Sequence, residues 1–160
     1  MTNSNNYYNS IAKGYNELYG KEQLEKFEII KDYIHGKVLD VGCGTGIITS
    51  KIPDSIGIDS SIELLKQSKK NRLLANAENL PFKNKVFDTV ISLTVIQDTK
   101  NPQRVVNECE RVGKYIIITC LKRKKSKKWF SSLFKNIKGK VIEQEKDWIF
   151  ISKDLIKKNS

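Results

Sequence analysis

Hydrophobic positions recur along this chain with two periods, one near 3.6 residues and one near 2, and segments of the two kinds alternate. Ile11, Tyr15, Leu18 and Tyr19 fall at helical spacing within Tyr7 to Tyr19, which predicts a short amphipathic helix interrupted near Gly14. Leu24, Phe27, Ile30 and Ile34 predict a second helix, ended by Gly36. Lys37 to Val41 reads as a first strand, Ser55 to Ile58 as a second and Arg72 to Asn76 as a third. Tyr115 to Cys120 is β-rich and almost wholly apolar, as a strand in the middle of a covered parallel sheet should be. The apolar pair Ile47-Ile48 begins a helix that must be brief, since Pro53 and Asp54 follow closely. A further helix carries Ile62, Leu64 and Leu65 into the basic segment Lys66 to Arg72. Asn101-Pro102 opens another, with Asn101 as cap, Val105, Val106, Cys109 and Val112 as its buried face, and Gly113 closing it. Trp129, Phe130, Leu133, Phe134 and Ile137 mark one more helical face. Val141 to Glu145 and Trp148 to Ser152 alternate apolar and polar residues around Lys146-Asp147, predicting a terminal antiparallel hairpin.

At 160 residues the chain suits one domain with a real core, and its recurrent apolar clusters argue against disorder although only 39% of it is hydrophobic. Its longest apolar run, Tyr115 to Leu121, is far below the ~20 residues of a membrane span, and Met-Thr-Asn-Ser-Asn-Asn lacks the basic-then-apolar pattern of a signal peptide. A cytoplasmic protein is expected. The formal charge of +11 is concentrated: residues 113 to 160 hold 14 basic and 4 acidic side chains, against 15 and 14 in residues 1 to 112. Such a basic third attracts polyanions, although a lysine-rich composition also accompanies adaptation to high temperature. Cys43, Cys109 and Cys120 are widely separated and His35 is the one histidine, so neither a disulfide framework, a metal site nor Ser-His or Cys-His catalysis is supported.

The chemistry centres on Val38-Leu39-Asp40-Val41-Gly42-Cys43-Gly44-Thr45-Gly46, where an apolar strand breaks into three glycines at alternate positions. Glycine allows a ligand to approach the backbone and permits the positive φ of a tight turn. The dinucleotide signature G-x-G-x-x-G sets pyrophosphate on a helix N-terminus; the spacing here is G-x-G-x-G, preceded by an acid. A nucleoside without phosphates needs the close approach and gains nothing from a helix dipole aimed at an anion. Nineteen residues after Asp40, Asp59 stands at the tip of the second strand, where an acid hydrogen-bonds ribose hydroxyls in folds of this kind.

This glycine stretch resembles the first motif of the class I S-adenosylmethionine-dependent methyltransferases, whose D/E-x-G-x-G-x-G form it matches residue for residue. Asn76-Ala77-Glu78-Asn79-Leu80-Pro81-Phe82 is similar to the D-A-E-x-L-P-F motif of the ubiquinone-biosynthesis-like (methyltransferase type 11) branch, with Asn76 in place of the acid. Lys85 to Ser92 matches the fourth strand, F-D-x-V-x-S, and continues into Leu93-Thr94-Val95-Ile96-Gln97-Asp98. The N-terminal stretch resembles the Y-x-x-I-A-x-x-Y lid. The resemblance implies a Rossmann-like three-layer α/β sandwich with a mostly parallel seven-stranded sheet, order 3-2-1-4-5-7-6, ending in an antiparallel hairpin. It implies one domain over 1–160: lid and helix 1–36, catalytic core 37–152, tail 153–160. It also implies S-adenosylmethionine as cofactor, held by Tyr15, Asp40, Gly42, Cys43, Gly44, Gly46, Asp59, Ser60, Asn76, Ala77 and Leu93. An acid at position 76 would accept from the adenine amino group; Asn76 can still accept, without charge assistance.

Tyr19, Gln97 and Asp98 are the candidates for the acceptor pocket. Relatives often carry histidines at the last two positions, so a general base is missing here, as is the N-P-P-Y-type tetrapeptide of enzymes acting on exocyclic amino groups of nucleobases. Lys122 to Lys128 has six basic residues in seven. In a parallel sheet this run leaves at the same edge as the glycine turn, which makes Lys122, Arg123, Lys124, Lys125, Lys127 and Lys128 candidates for contacting the phosphates of tRNA or rRNA. Some relatives pair with a small zinc-binding activator protein along an exposed sheet edge, here Arg72 to Ala75. A small-molecule acceptor, or a catalytically silent cofactor-binding module, are the alternatives to RNA methylation.

Overall fold

In the computed structural model, which describes residues 3–158, the strands β1 (Val38–Val41), β2 (Ser55–Asp59), β3 (Arg72–Leu74), β4 (Phe87–Leu93), β5 (Gly113–Leu121), β6 (Gly139–Glu143) and β7 (Asp147–Ser152) form one sheet. Its order is β3-β2-β1-β4-β5-β7-β6, with β1 to β5 parallel and β7 antiparallel to both neighbours. This is the Rossmann-like order expected, hairpin included. Parallel pairing brings the ends of β1, β2, β4 and β5 to one carboxyl edge, and antiparallel pairing of Leu121 with Asp147 sets the start of β7 at that edge too.

Both faces are covered, which is why β1 and most of β5 are buried. On one face α4 (Pro102–Val112) contributes Val105, Val106, Cys109 and Val112 to a cluster with Leu39, Val41, Ile58, Val90 and Ile116. Phe130 of α5 (Lys127–Ser132), Phe134 and Phe150 extend it, the last two stacked at 4.0 Å. On the other face Ile30, at the end of α2 (Tyr15–Ile30), packs with Val38, Ile48, Ile91, Leu93 and Ile117, together with Leu155 of α6 (Lys153–Lys158). Before α2 come α1 (Asn3–Ile11) and a 3-10 turn, Ala12–Gly14, so the interruption near Gly14 is present. Asn101 caps α4, its Oδ1 accepting from Arg104 N, with Pro102 in the first turn. No helix of the described residues is long and apolar enough to cross a membrane.

Several expected elements differ. Ile47-Ile48 begins turns and a 3-10 helix, Thr49–Lys51, rather than an α-helix. Too few residues separate Gly46 from Pro53 to repay helix nucleation, and Ser55 Oγ donates to the carbonyls of Thr49 and Ile52 instead. The second predicted helix starts at Tyr15 and ends at Ile30; Gly36, at φ 68°, makes the turn into β1, where a Cβ would strike Asp88. α3 (Ile62–Leu65) is a single turn that does not run into the basic segment, and β3 stops at Leu74. Gly113 opens β5 in extended backbone.

Candidate functional site at the carboxyl edge

The sheet order reverses at β1, whose neighbours are β2 and β4, and such a switch point is where open α/β sheets receive ligands. The glycine turn occupies it. Gly42, Gly44 and Gly46 take φ of 77°, 56° and 79°. A Cβ on Gly42 would lie 2.2 Å from Val95 Cγ2, so the turn is packed directly on the segment after β4. Gly44 N donates to Asp59 Oδ2 at 2.9 Å, and Ser61 N donates to Asp59 Oδ1 at 2.8 Å. Burial raises the Asp59 pKa, opposed by the N–H groups of Ser61, Gly44 and Ser60. Asp40 lies beneath the turn, 3% exposed, accepting from Thr49 Oγ1 at 2.7 Å. Burial pushes its pKa up to about 6, with the Asp59 charge adding to the rise and Thr49 opposing it. Burial, reinforced by Asp40 and Asp59, also raises the Cys43 thiol far above its usual range, leaving it an inert filler packed on Gly57.

The N-terminal helices lie across this turn. The Tyr15 ring comes within 3.2 Å of where a Gly44 Cβ would be. Asn16 Oδ1 accepts from Thr45 Oγ1, Gln67 Nε2 donates to the Ala12 carbonyl, and Asn9 bonds the Ser61 hydroxyl. Beneath the helices is a cavity of about 10 Å³ whose lining includes Tyr15, Gln23, Asp40, Gly42, Cys43 and Leu93. Five of the residues expected around a cofactor therefore meet at one space. Gly44, Asp59 and Ser60 are outside its lining, with Gly44 and Asp59 joined by the hydrogen bond above, while Gly46 turns the chain away against Ser68. Asn76 and Ala77 are not in its lining: Ala77 packs on the core, and Asn76 is exposed with its Oδ1 accepting from Glu78 N at 2.8 Å.

On the acceptor side, Gln97 Nε2 donates to Thr94 O at 2.6 Å and to Asp98 Oδ2 at 3.3 Å, while Gln97 Oε1 is buried without a hydrogen-bond partner. Tyr8 OH donates to the same Asp98 oxygen at 3.3 Å. Tyr19 lies 5.3 Å from the Tyr15 ring, and its hydrogen bond to Tyr7 and its partial burial push its pKa up to about 12. The basic run forms the turn after β5 and the start of α5, capped by Ser126. Its six charges are not equivalent. Lys122 pairs with Glu143 and lies 4.9 Å over the Trp148 ring, Lys125 lies 4.8 Å over Trp129, and Lys127 lies 5.9 Å from Trp148. Arg123, Lys124, Lys127 and Lys128 are exposed, and the Arg123 charge acts on Tyr19 and Glu22 of α2.

Sequence reasoning missed two groups. Lys26, 2% exposed, bridges Glu22 at 2.6 Å and Asp147 at 3.4 Å, and with Gln23 it reaches Thr94 Oγ1, which sits at φ 60° just after β4. On α4, Arg111 donates to the carbonyls of Leu80 and Phe82 and to both Glu108 oxygens, while Glu108 Oε2 accepts from Leu80 N. Arg104 Nε donates to Glu78 O, and Glu78 Oε1 accepts from Lys100 N and Asn101 N. This clamp holds the segment after Asn76. The i, i+3 spacing of Glu108 and Arg111 signalled a helix pair, but nothing in the sequence named its target.

Known proteins give the same picture. A family model described as a methyltransferase domain matches residues 39–115. An uncharacterized protein of Methanocaldococcus jannaschii is 40% identical over 116 residues, covering 68% of this chain and 46% of that protein. A tRNA (carboxymethyluridine(34)-5-O)-methyltransferase of Saccharomyces cerevisiae is 32% identical over 113 residues, covering 66% and 40%. The chain spans about half the length of the curated relatives it matches. Among solved structures, a SAM dependent methyltransferase from Aquifex aeolicus superposes with a TM-score of 0.65 at 17% identity, covering 78% of this chain and 87% of that one. A complex of the Haloferax volcanii Trm112 methyltransferase activator with a methyltransferase gives 0.64 at 17%, covering 86% and 78%. At these identities the two structures speak for the fold.

Proposed function

We propose that the chain is a class I S-adenosylmethionine-dependent methyltransferase, a reading supported by the methyltransferase-domain model over residues 39–115, and that it methylates RNA, tRNA or rRNA, from S-adenosylmethionine bound at the glycine turn. The observation that carries the cofactor assignment is Asp59 held by Gly44 N–H at the switch point. Asp59 accepts Gly44 N–H on one oxygen and Ser61 N–H on the other, with Ser60 N–H also favouring the carboxylate, and of the about four acceptor sites of a carboxylate this leaves one for a ribose hydroxyl. The backbone at Gly44 carries no side chain that would hold a nucleoside away. When bound, S-adenosylmethionine supplies a methyl group already activated by its sulfonium. The work of the chain is then to orient the acceptor and exclude water, a role we assign to Tyr15, Tyr19, Gln97 and Asp98. Asn76 shares its oxygen with Glu78 N–H, so its grip on adenine is a neutral one.

A cavity of about 10 Å³ has room for about one water. Admission of a nucleoside therefore requires α1 and the Ala12–Gly14 turn to swing aside, breaking the Asn9–Ser61, Gln67–Ala12 and Tyr8–Asp98 hydrogen bonds. The buried Lys26–Asp147 pair keeps α2 in place.

RNA is favoured by the basic run at this same edge, and the yeast relative is named for a tRNA activity. We further propose that β3, an exposed edge strand with Leu73 and Leu74 42% and 54% exposed, receives an activator protein, by analogy with the Haloferax methyltransferase that is held in complex with Trm112.

The decisive experiment is calorimetric titration with S-adenosylhomocysteine, followed by labelled methyl transfer into the RNA, protein and small-molecule fractions of an extract. Binding lost in Asp59→Ala, and label in RNA that declines with salt, are expected. Absence of cofactor binding would overturn methyl transfer, and label confined to small molecules would overturn the RNA acceptor.

A further inference from the structure

Resting on that methyl-transfer reading, we infer that the acceptor is an unpaired nucleotide in single-stranded RNA, with its base stacked on the lid tyrosines and neighbouring phosphates on the loop after β5. Tyr7, Tyr8, Tyr15 and Tyr19 form a connected aromatic arc, with successive ring centroids 5.4 Å, 6.3 Å and 5.3 Å apart. The arc is fixed at the cofactor turn through Tyr15, which lies against Gly44, and its two ends, Tyr7 and Tyr19, meet on the side away from the turn. There it opens to solvent. Tyr7 is 49% exposed, its hydroxyl bonds that of Tyr19 at 2.7 Å, and the charge of Arg123 acts on Tyr19. Lys26 of α2, the helix that carries Tyr15 and Tyr19, pairs with Asp147 at 3.4 Å, and Asp147 is in register with Leu121 immediately before the basic run, so the arc and the run border the same edge.

The arrangement leaves the Tyr7 ring half exposed and the Tyr19 ring only partly buried at the edge that carries the basic run. Aromatic faces joined to a cationic track are how proteins hold single strands: bases stack, and the phosphates follow the charge. The cationic part is pre-ordered, because Lys122 and Lys125 are laid over Trp148 and Trp129 while Arg123, Lys124 and Lys128 face solvent. The segment after β4 adds an unused acceptor, Gln97 Oε1, which an amino or imino N–H on a base edge can satisfy. A duplex fits poorly. Its bases are stacked and paired, its deep groove is closed to side chains, and extracting one base costs what an unpaired base does not.

The test is fluorescence anisotropy with a short labelled oligoribonucleotide without self-complementarity, free and annealed to its complement, at low and physiological salt. The proteins are the wild type, Tyr19→Ala, Tyr19→Phe and Tyr7→Ala, with thermal melting as the check of folding. The single strand should bind about tenfold or more tightly than the duplex, and Tyr19→Ala should lose about fivefold or more while Tyr19→Phe keeps its stacking face and its affinity. Equal binding of duplex and single strand, or a Tyr19→Ala variant that melts normally and binds like wild type, would overturn the inference while leaving the basic rim standing. A wild type that binds S-adenosylhomocysteine and neither form of RNA would overturn the RNA acceptor as well.

Discussion

Replacing Asp40 by asparagine should make the protein more stable, and by an amount that depends on pH. Asp40 is a buried carboxylate whose ordinary value of 3.8 is raised to about 6, chiefly by burial. The unfolded chain therefore ionises at lower pH than the folded protein does. Below about pH 3.8 both states are protonated and the residue carries no penalty; the penalty grows as pH rises from there and is complete above about 6. At about 1.4 kcal/mol per pH unit, the full penalty is about 3 kcal/mol, with about half of it present near pH 5. Asparagine keeps an oxygen to accept from Thr49 Oγ1 and carries no charge to desolvate. Urea denaturation of wild type and Asp40→Asn near pH 8 and near pH 5 measures the difference directly. A gain near pH 8 about twice that near pH 5 is expected. An equal gain at both values, or a loss near pH 8, would refute the argument, because either would mean that burial of the charge is not what Asp40 costs. An acid retained at such a cost suggests that its charge is used. Asp40→Asn is accordingly expected to lose affinity for S-adenosylhomocysteine while gaining stability.

Other perturbations test the supports of the site. Lys26→Met leaves Asp147 and Glu22 without their buried partner and should cost about 3 to 5 kcal/mol by denaturation; adding Asp147→Leu should recover much of that loss, and no recovery would mean that Lys26 matters for packing rather than charge. Arg111→Ala removes donors from the Leu80 and Phe82 carbonyls and strands Glu108. It should cost about 1 to 3 kcal/mol and speed amide exchange across residues 78–84, with unchanged exchange counting against the clamp. Gly44→Ala meets both a φ of 56° and the Tyr15 ring at 3.2 Å. It should cost about 1 to 2 kcal/mol for the backbone alone and weaken S-adenosylhomocysteine binding, and a variant that binds like wild type would show that the turn tolerates a side chain.

What was legible in the sequence, and what was not, divides by where each residue finds its partner. The strands, the Asn101-Pro102 helix start and the glycine turn are set by chemistry within a few positions, and they stand close to where pattern placed them, with β3 ending two residues early and β6 lying two residues toward the N-terminus. Ile47-Ile48 promised a helix because its apolar pattern is local, whereas Thr49 is drawn down to Asp40 and Ser55 claims two carbonyls of the turn. Lys26 reads as a solvated helix lysine until β7 delivers Asp147 beneath it. Asn76 reads as a base-facing acceptor with a free oxygen, and in the structure that oxygen also accepts from Glu78 N–H. Lys122 and Lys125 read as free rim charges until the indoles of Trp148 and Trp129 arrive from the hairpin and α5. These partners, distant in the chain for Lys26 and Lys122 and near for Asn76 and Lys125, also bear on what can be inherited from relatives. The family match spans residues 39–115, which contains the glycine turn, Asp59 and the fourth strand. On the proposed reading the shared segment holds the cofactor together with Gln97 and Asp98, while the tyrosine arc and the basic run lie outside it, so the Tyr19 and Tyr7 variants bear on the acceptor more directly than any further resemblance to a relative.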